Sequence, residues 1–145
     1  MLDWKSHPRP IIALSPMADM TDSAFCRVVR DLSPPDLIVF HEMVSSEAVV
    51  RGNEKTLGMT DIHPTERQLV QQIFGADPTT MAEAARLIEA EHHPDGFDIN
   101  MGCPVYKIVH NFNGAALMKE PELATKIVKA MKLAITVPLS VKIRL

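Results

Sequence analysis

Residues 69–100 read LVQQIFGADPTTMAEAARLIEAEHHPDGFDIN, and the reading of this stretch decides the fold class. Leu69 to Phe74 is a short apolar run closed by Gly75, as expected of a buried strand. Asp77-Pro78 then supplies a helix cap followed by a first-turn proline. Met81, Ala84, Ala85 and Ile88 recur at helical spacing through Glu91, which makes one apolar helix face. His92 and His93 follow, where positive charge suits the helix dipole. Phe97 to Asn100 is again short and apolar. No hairpin signal such as Asn-Gly separates the runs, so the two strands are joined by a helix and lie parallel.

The same alternation extends both ways. Ile11 to Leu14 reads as a strand ending at Ser15-Pro16. Thr21 or Asp22 can cap the helix that follows, with Phe25, Val28, Val29 and Leu32 on one face and Ser33-Pro34-Pro35 as the stop. Leu37 to Phe40 is the next strand. Ser45 or Ser46 caps a short helix that Gly52 ends, and residues 53–67 read as loop. Beyond the quoted stretch a long loop leads to Pro121. That proline opens a helix with Leu123, Ala124, Ile127, Val128 and Met131 inward. Leu139 to Ile143, after Pro138, is a fifth strand.

Five parallel strands with crossover helices leave two α/β architectures. A doubly wound sheet carries a glycine-rich phosphate loop after its first strand, but residues 15–22 contain no glycine. The six glycines form neither G-x-G-x-x-G nor a Walker loop. The alternative is a TIM (β/α)8 barrel. Such barrels need about 250 residues, roughly 31 per unit. The 145 residues thus correspond to a barrel truncated after about four βα units plus the fifth strand. Residues 1–145 read as the N-terminal part of the domain, with its C-terminal half absent.

Composition excludes several classes. With 46% hydrophobic and 23% charged residues the chain has a globular composition, which excludes disorder as its main state. No apolar run nears the ~18 residues of a membrane span. Met1-Leu2-Asp3-Trp4-Lys5 does not begin a secretory signal. Two cysteines, Cys26 and Cys103, make no disulfide scaffold and suit the reducing cytoplasm. The net charge is −3, unevenly spread: −7 over residues 41–103 and +5 over residues 104–145. The positive end reads either as solvated helix faces or as a rim for a polyanion.

In a barrel, chemistry gathers at the C-terminal ends of the strands. Cys103 lies at such an end, between Gly102, which allows close backbone approach, and Pro104, which stiffens the loop. Asp98 and Asn100 lie two apart and share a side of their strand. An ordinary thiol, with a pKa of about 8.5, is protonated at neutral pH and can serve as a general acid. Cys26, beside Phe25 on the first helix, reads as packing. Either Lys142 or the flanking pair Val141 and Ile143 points into the barrel. Gln72, if buried, needs a partner, either a ligand or backbone. The six histidines form no metal site by spacing, and no metal is expected.

The run Asp98-Ile99-Asn100-Met101-Gly102-Cys103-Pro104 resembles the tRNA-dihydrouridine synthases. Supporting blocks are Pro16-Met17-Ala18 with Thr21-Asp22, Glu42-Met43, Gln72-Ile73-Phe74-Gly75 with Asp77-Pro78, Lys107, Gly114-Ala115-Ala116-Leu117 and Val141-Lys142-Ile143-Arg144. The resemblance covers about Ile11 to Leu145. It implies an FMN-binding (β/α)8 barrel followed by a helical tRNA-binding domain, here absent. It also implies reduction of uridine to 5,6-dihydrouridine in tRNA, with NADPH reducing the flavin. Hydride passes from flavin to C6, and a cysteine protonates C5. By position Cys103 is that proton donor. Pro16, Met17 and Ala18 lie along the flavin, while Gln72 and Lys142 bind its ring edge. Asn100 touches the uracil, and Lys107 lies near the RNA. The sequence departs from the family pattern at Asp19, where glycine is common, and at Asn113, where alanine is common. Residues 109–112 are less basic than in many members.

Two other readings compete. One is another FMN barrel, a dihydroorotate dehydrogenase-like reductase of a small pyrimidine. The other is a non-catalytic half-barrel that self-associates through the open edges at its first and fifth strands.

Overall fold

The computed structural model describes residues 2–105 and 113–144. Strands β1 (Ala13–Leu14), β2 (Ile38–Ser45), β3 (Leu69–Phe74), β4 (Gly96–Met101) and β5 (Leu139–Ile143) form one sheet. Their order in the sheet is their order in the chain, and every pair is parallel. Between them run α1 (Ser23–Asp31), α2 (Ser46–Val50), α3 (Glu54–Gly58), α4 (Pro78–His92), a 3-10 helix (Gly114–Lys119) and α5 (Pro121–Ala134). A doubly wound sheet reverses its strand order at a switch point. Here each crossover advances one strand in the same direction, so the sheet curls as half of a (β/α)8 barrel.

The two faces of the sheet differ as that architecture requires. Val44, Ile73, Phe97, Ile99 and Met101 point outward into the main core. There they meet Met81, Ala84, Ala85 and Ile88 of α4 and Ile127 and Met131 of α5. Each large side chain buried there contributes about 1.5–3 kcal/mol relative to exposure. The opposite face carries Ile38 and Val70, which pack with Leu2, Trp4 and Phe40. The Trp4 and Phe40 rings stack with centroids 6.5 Å apart. These apolar residues occupy the early part of each strand and leave the later part to polar groups.

Local signals place the helix starts. Asp22 Oδ1 accepts the Phe25 N–H at 2.8 Å and Asp77 Oδ1 accepts the Thr80 N–H at 2.7 Å. Helix α4 ends at His93, whose φ of 52° is left-handed. Strand β5 spans the five residues its apolar pattern marks.

Five features differ from the sequence reading. Strand β1 is confined to Ala13–Leu14, and Ile12 is 52% exposed. Strand β2 runs on through Ser45, because His41 and Glu42 are buried and hydrogen-bonded rather than solvated. Within residues 53–67, Asn53 caps the short helix α3. The long loop before Pro121 contains the 3-10 helix, which buries Leu117. In α1 Cys26 packs as the sequence reading has it, but the apolar stripe of Phe25, Val28 and Leu32 is 38%, 58% and 84% exposed. Periodicity finds an apolar stripe but not what covers it. Cys26 and Val29 pack on Leu37 and Val39, while the stripe stays exposed. No helix among the described residues is long and apolar enough to cross a membrane.

Candidate active site

Strand alternation sends Gln72, Asp98, Asn100, Ser140 and Lys142 to the inner face, because Gln72 pairs with Asp98, Asp98 with Ser140, and Asn100 with Lys142. They form a directed chain of hydrogen bonds. The Ser140 hydroxyl donates to Asp98 Oδ1 at 2.7 Å, and Gln72 Nε2 donates to Asp98 Oδ2 at 2.6 Å. Asn100 Nδ2 donates to Gln72 Oε1 at 3.0 Å and reaches Met43 Sδ at 3.2 Å. Asn100 Oδ1 accepts the N–H groups of Gly102 at 3.1 Å and Cys103 at 3.0 Å. The carboxylate only accepts, so it fixes the orientation of the Gln72 amide, and Gln72 in turn fixes Asn100. Burial pushes the Asp98 carboxyl up, partly offset by its bonds from Gln72 and Ser140 and by the Lys142 charge.

This chain ends on the backbone of the cysteine loop. Besides Asn100, the loop is held by Arg144 Nε, which donates to the Gly102 carbonyl at 2.9 Å, and by the Ala115 N–H on the Cys103 carbonyl at 3.0 Å. A Cβ on Gly102 would lie 3.3 Å from the Ile143 carbonyl carbon, so glycine is what lets the loop run close to β5. Cys103 is half-buried and opens onto a cavity of about 170 Å³ at the strands' C-terminal ends. Gln72, Asn100 and Lys142 line that cavity, with Pro16 and Ala18 across from them on the β1 loop.

The structure thus brings together six of the expected residues: Cys103, Gln72, Asn100, Lys142, Pro16 and Ala18. It also resolves the alternation in β5, since Lys142 faces the cavity while Val141 and Ile143 remain partly exposed. Met17 is not among the lining residues; its N–H donates to Thr21 Oγ1 at 2.9 Å, and its carbonyl accepts the Thr21 hydroxyl at 3.1 Å. Its role here is to shape the β1 loop, which the Asp19 N–H pins to Glu42 Oε2 at 2.8 Å. Lys107 lies outside the described residues.

Three further groups belong to the site. Met43 and Arg144 line the cavity and Asp98 anchors its hydrogen bonds. Arg144 stands two residues after Lys142, so strand alternation was a usable signal. Met43 lies within the bulge of β2 between His41 and Val44, which no spacing rule reveals.

A family profile described as dihydrouridine synthase matches residues 12–145. The chain belongs to the dihydrouridine synthase family. A probable tRNA-dihydrouridine synthase of Treponema pallidum is 38% identical over 138 residues, which is 92% of this chain and 40% of that protein. Probable tRNA-dihydrouridine synthase 2 of Bacillus subtilis is 35% identical over 144 residues, covering 98% of this chain and 43% of the relative. The tRNA-dihydrouridine(20/20a) synthase of Xanthomonas axonopodis pv. citri is 37% identical over 134 residues, 92% of this chain and 39% of the relative. The chain therefore spans about two fifths of the length of these curated relatives.

Proposed function

We propose that this chain carries the catalytic acid and the flavin-ring side of a tRNA-dihydrouridine synthase, which reduces uridine in tRNA to 5,6-dihydrouridine. The observation that carries this reading is the position of Cys103. It sits on a braced loop at the mouth of a polar cavity, inside the region that matches the family.

The cavity's donors suit the ring of FMN. Gln72 Nε2 retains one N–H beyond the bond to Asp98, and Lys142 brings a positive charge for an anionic ring edge. Pro16 and Ala18 give a small wall against which a flat ring can lie. The phosphate is a different matter: barrels hold it with the loops after strands seven and eight, beyond the five strands described. When bound, FMN supplies the hydride for uracil C6, with NADPH as the source of electrons.

The chain's own part is to deliver and hold a proton. Cys103 gives its thiol proton to C5 as C6 is reduced, which completes addition of two hydrogens across the double bond. The resulting thiolate regains a proton from solvent. Asn100 holds the Cys103 and Gly102 N–H groups, and all four of its own hydrogen-bonding positions are engaged. Contact with uracil would require Asn100 to exchange one of these. The base must leave its stack to reach such a cavity, and Lys142 and Arg144 supply positive charge at its lining. Lys126, Lys129 and Lys132 are exposed on α5 and read as a solvated face. Two unpaired thiols and a tRNA substrate are in keeping with a cytoplasmic enzyme.

The test is a chimera in which residues 1–145 replace the matching part of the Bacillus subtilis relative. NADPH-dependent formation of dihydrouridine in an unmodified tRNA transcript is expected, with no turnover of dihydroorotate. Turnover of dihydroorotate alone would move the reading to the small-pyrimidine reductases.

A further inference from the structure

Away from the cavity, the fold joins three side chains that lie far apart in sequence. Cys26 comes from α1, His41 from β2, and Glu66 from the segment leading into β3. They are 0%, 1% and 8% exposed. One donor atom from each lies within 4.8 Å of the other two. His41 Nε2 and Glu66 Oε1 are 2.9 Å apart. None of the three lines the cysteine cavity.

We propose that Cys26, His41 and Glu66 form a binding site for one divalent ion of the Zn²⁺ class. Sulfur, imidazole nitrogen and carboxylate oxygen are the donors that Zn²⁺ takes, whereas Ca²⁺ and Mg²⁺ call for oxygen alone. Charge fits as well as softness. One thiolate, one carboxylate and one neutral imidazole cancel the two positive charges, so the buried site is neutral as a whole. Zinc bonds of about 2.0–2.3 Å put tetrahedral donors roughly 3.3–3.7 Å apart. That spacing lies between the 2.9 Å that separates His41 from Glu66 and the 4.8 Å limit on the cluster. The ion would part His41 from Glu66.

The surroundings support the same reading. Glu66 is already oriented, because its Oε2 accepts the Ser23 hydroxyl at 2.8 Å and the His63 N–H at 2.6 Å. Such outer bonds fix a ligating carboxylate and leave its other oxygen for the metal. Binding exchanges the thiol proton for the metal, so one proton is released as the metal–sulfur bond forms. Three protein donors leave the fourth position to water. The histidine spacing gave no sign of this site, since each donor belongs to a different element.

Co²⁺ is the probe. The chelator-treated chain is titrated with Co²⁺ and followed by absorption. One equivalent should bind, with a thiolate-to-cobalt charge-transfer band in the near ultraviolet and the visible bands of a tetrahedral ion. Cys26→Ser and His41→Gln should lose the charge-transfer band or bind at least ~10-fold more weakly, while Cys103→Ser should keep it. No thiolate band in the wild type, or an unchanged band in Cys26→Ser, would overturn the proposal. If either variant fails to fold, zinc-edge X-ray absorption of the wild type decides. One sulfur with lighter donors supports the site, and a shell without sulfur overturns it.

Discussion

Asn100→Asp exchanges an amide nitrogen for oxygen at almost constant volume, and the directed chain in the barrel interior makes it a costly exchange. The new carboxylate still accepts the Gly102 and Cys103 N–H groups, but its second oxygen faces Gln72 Oε1, to which Nδ2 now donates at 3.0 Å. Gln72 cannot turn over to help, because its Nε2 is held by Asp98 at 2.6 Å. Losing the bond and leaving Gln72 Oε1 buried without a donor costs about 2–4 kcal/mol. Stronger, charge-assisted bonds from the two loop N–H groups return about 1 kcal/mol. The expected net loss is about 2 kcal/mol, read from urea unfolding followed by circular dichroism. A second substitution tests the direction of the chain itself. When Asp98→Asn is combined with Asn100→Asp, the amide introduced on β4 can donate to a turned Gln72. Gln72 then donates to the carboxylate introduced two residues further on. The double variant should recover at least ~1 kcal/mol over the sum of the singles, within the range of contacting residues. A single variant within about 0.5 kcal/mol of wild type, or strict additivity, would refute the reasoning.

Asp98 also predicts a pH dependence. Burial raises its folded-state pKa, so the native state keeps the proton to higher pH than the unfolded chain, and stability falls as pH rises above about 4. Asp98→Asn removes that decline, so melting curves should shift in the variant's favour between pH 4 and 7; a constant offset would contradict this. Ile127 is fully buried in the core that joins α4 and α5. Ile127→Ala should cost about 2–4 kcal/mol in urea unfolding, and a loss under about 1 kcal/mol would mean that the interface collapses around the gap. The exposed stripe of Phe25, Val28 and Leu32 and the open edge of β5 predict concentration-dependent self-association of the chain in sedimentation velocity. Leu32→Lys should weaken it, and a monomer at all concentrations would argue against association through these surfaces.

What the sequence revealed was whatever a short window contains. The β3–α4–β4 unit and β5 follow from apolar runs, one cap and one proline, all local signals. Cys103, Gln72 and Lys142 converge because a barrel brings every strand end to one rim, so a correct fold class carried them with it. The directed hydrogen bonds were hidden, since strand alternation tells that Gln72 and Asn100 share a face but not which way their amides turn. The His41–Glu66 pair was hidden for a plainer reason. Its partners lie 25 residues apart on a strand and in a loop, and neither stretch shows a spacing that points to the other. The exposure of the Phe25 stripe was hidden because helical periodicity reports a difference between faces without identifying the neighbour.

In the proposed reaction Cys103 is the proton donor in uridine reduction. That role is tested most directly by the dihydrouridine content of a tRNA transcript treated with the chimera and its Cys103→Ala variant, with bound flavin measured in both. General acid catalysis contributes about 10²–10⁴-fold. Dihydrouridine formation should therefore fall by at least about 10²-fold while the flavin content stays the same. Equal dihydrouridine formation by the two proteins would contradict the account.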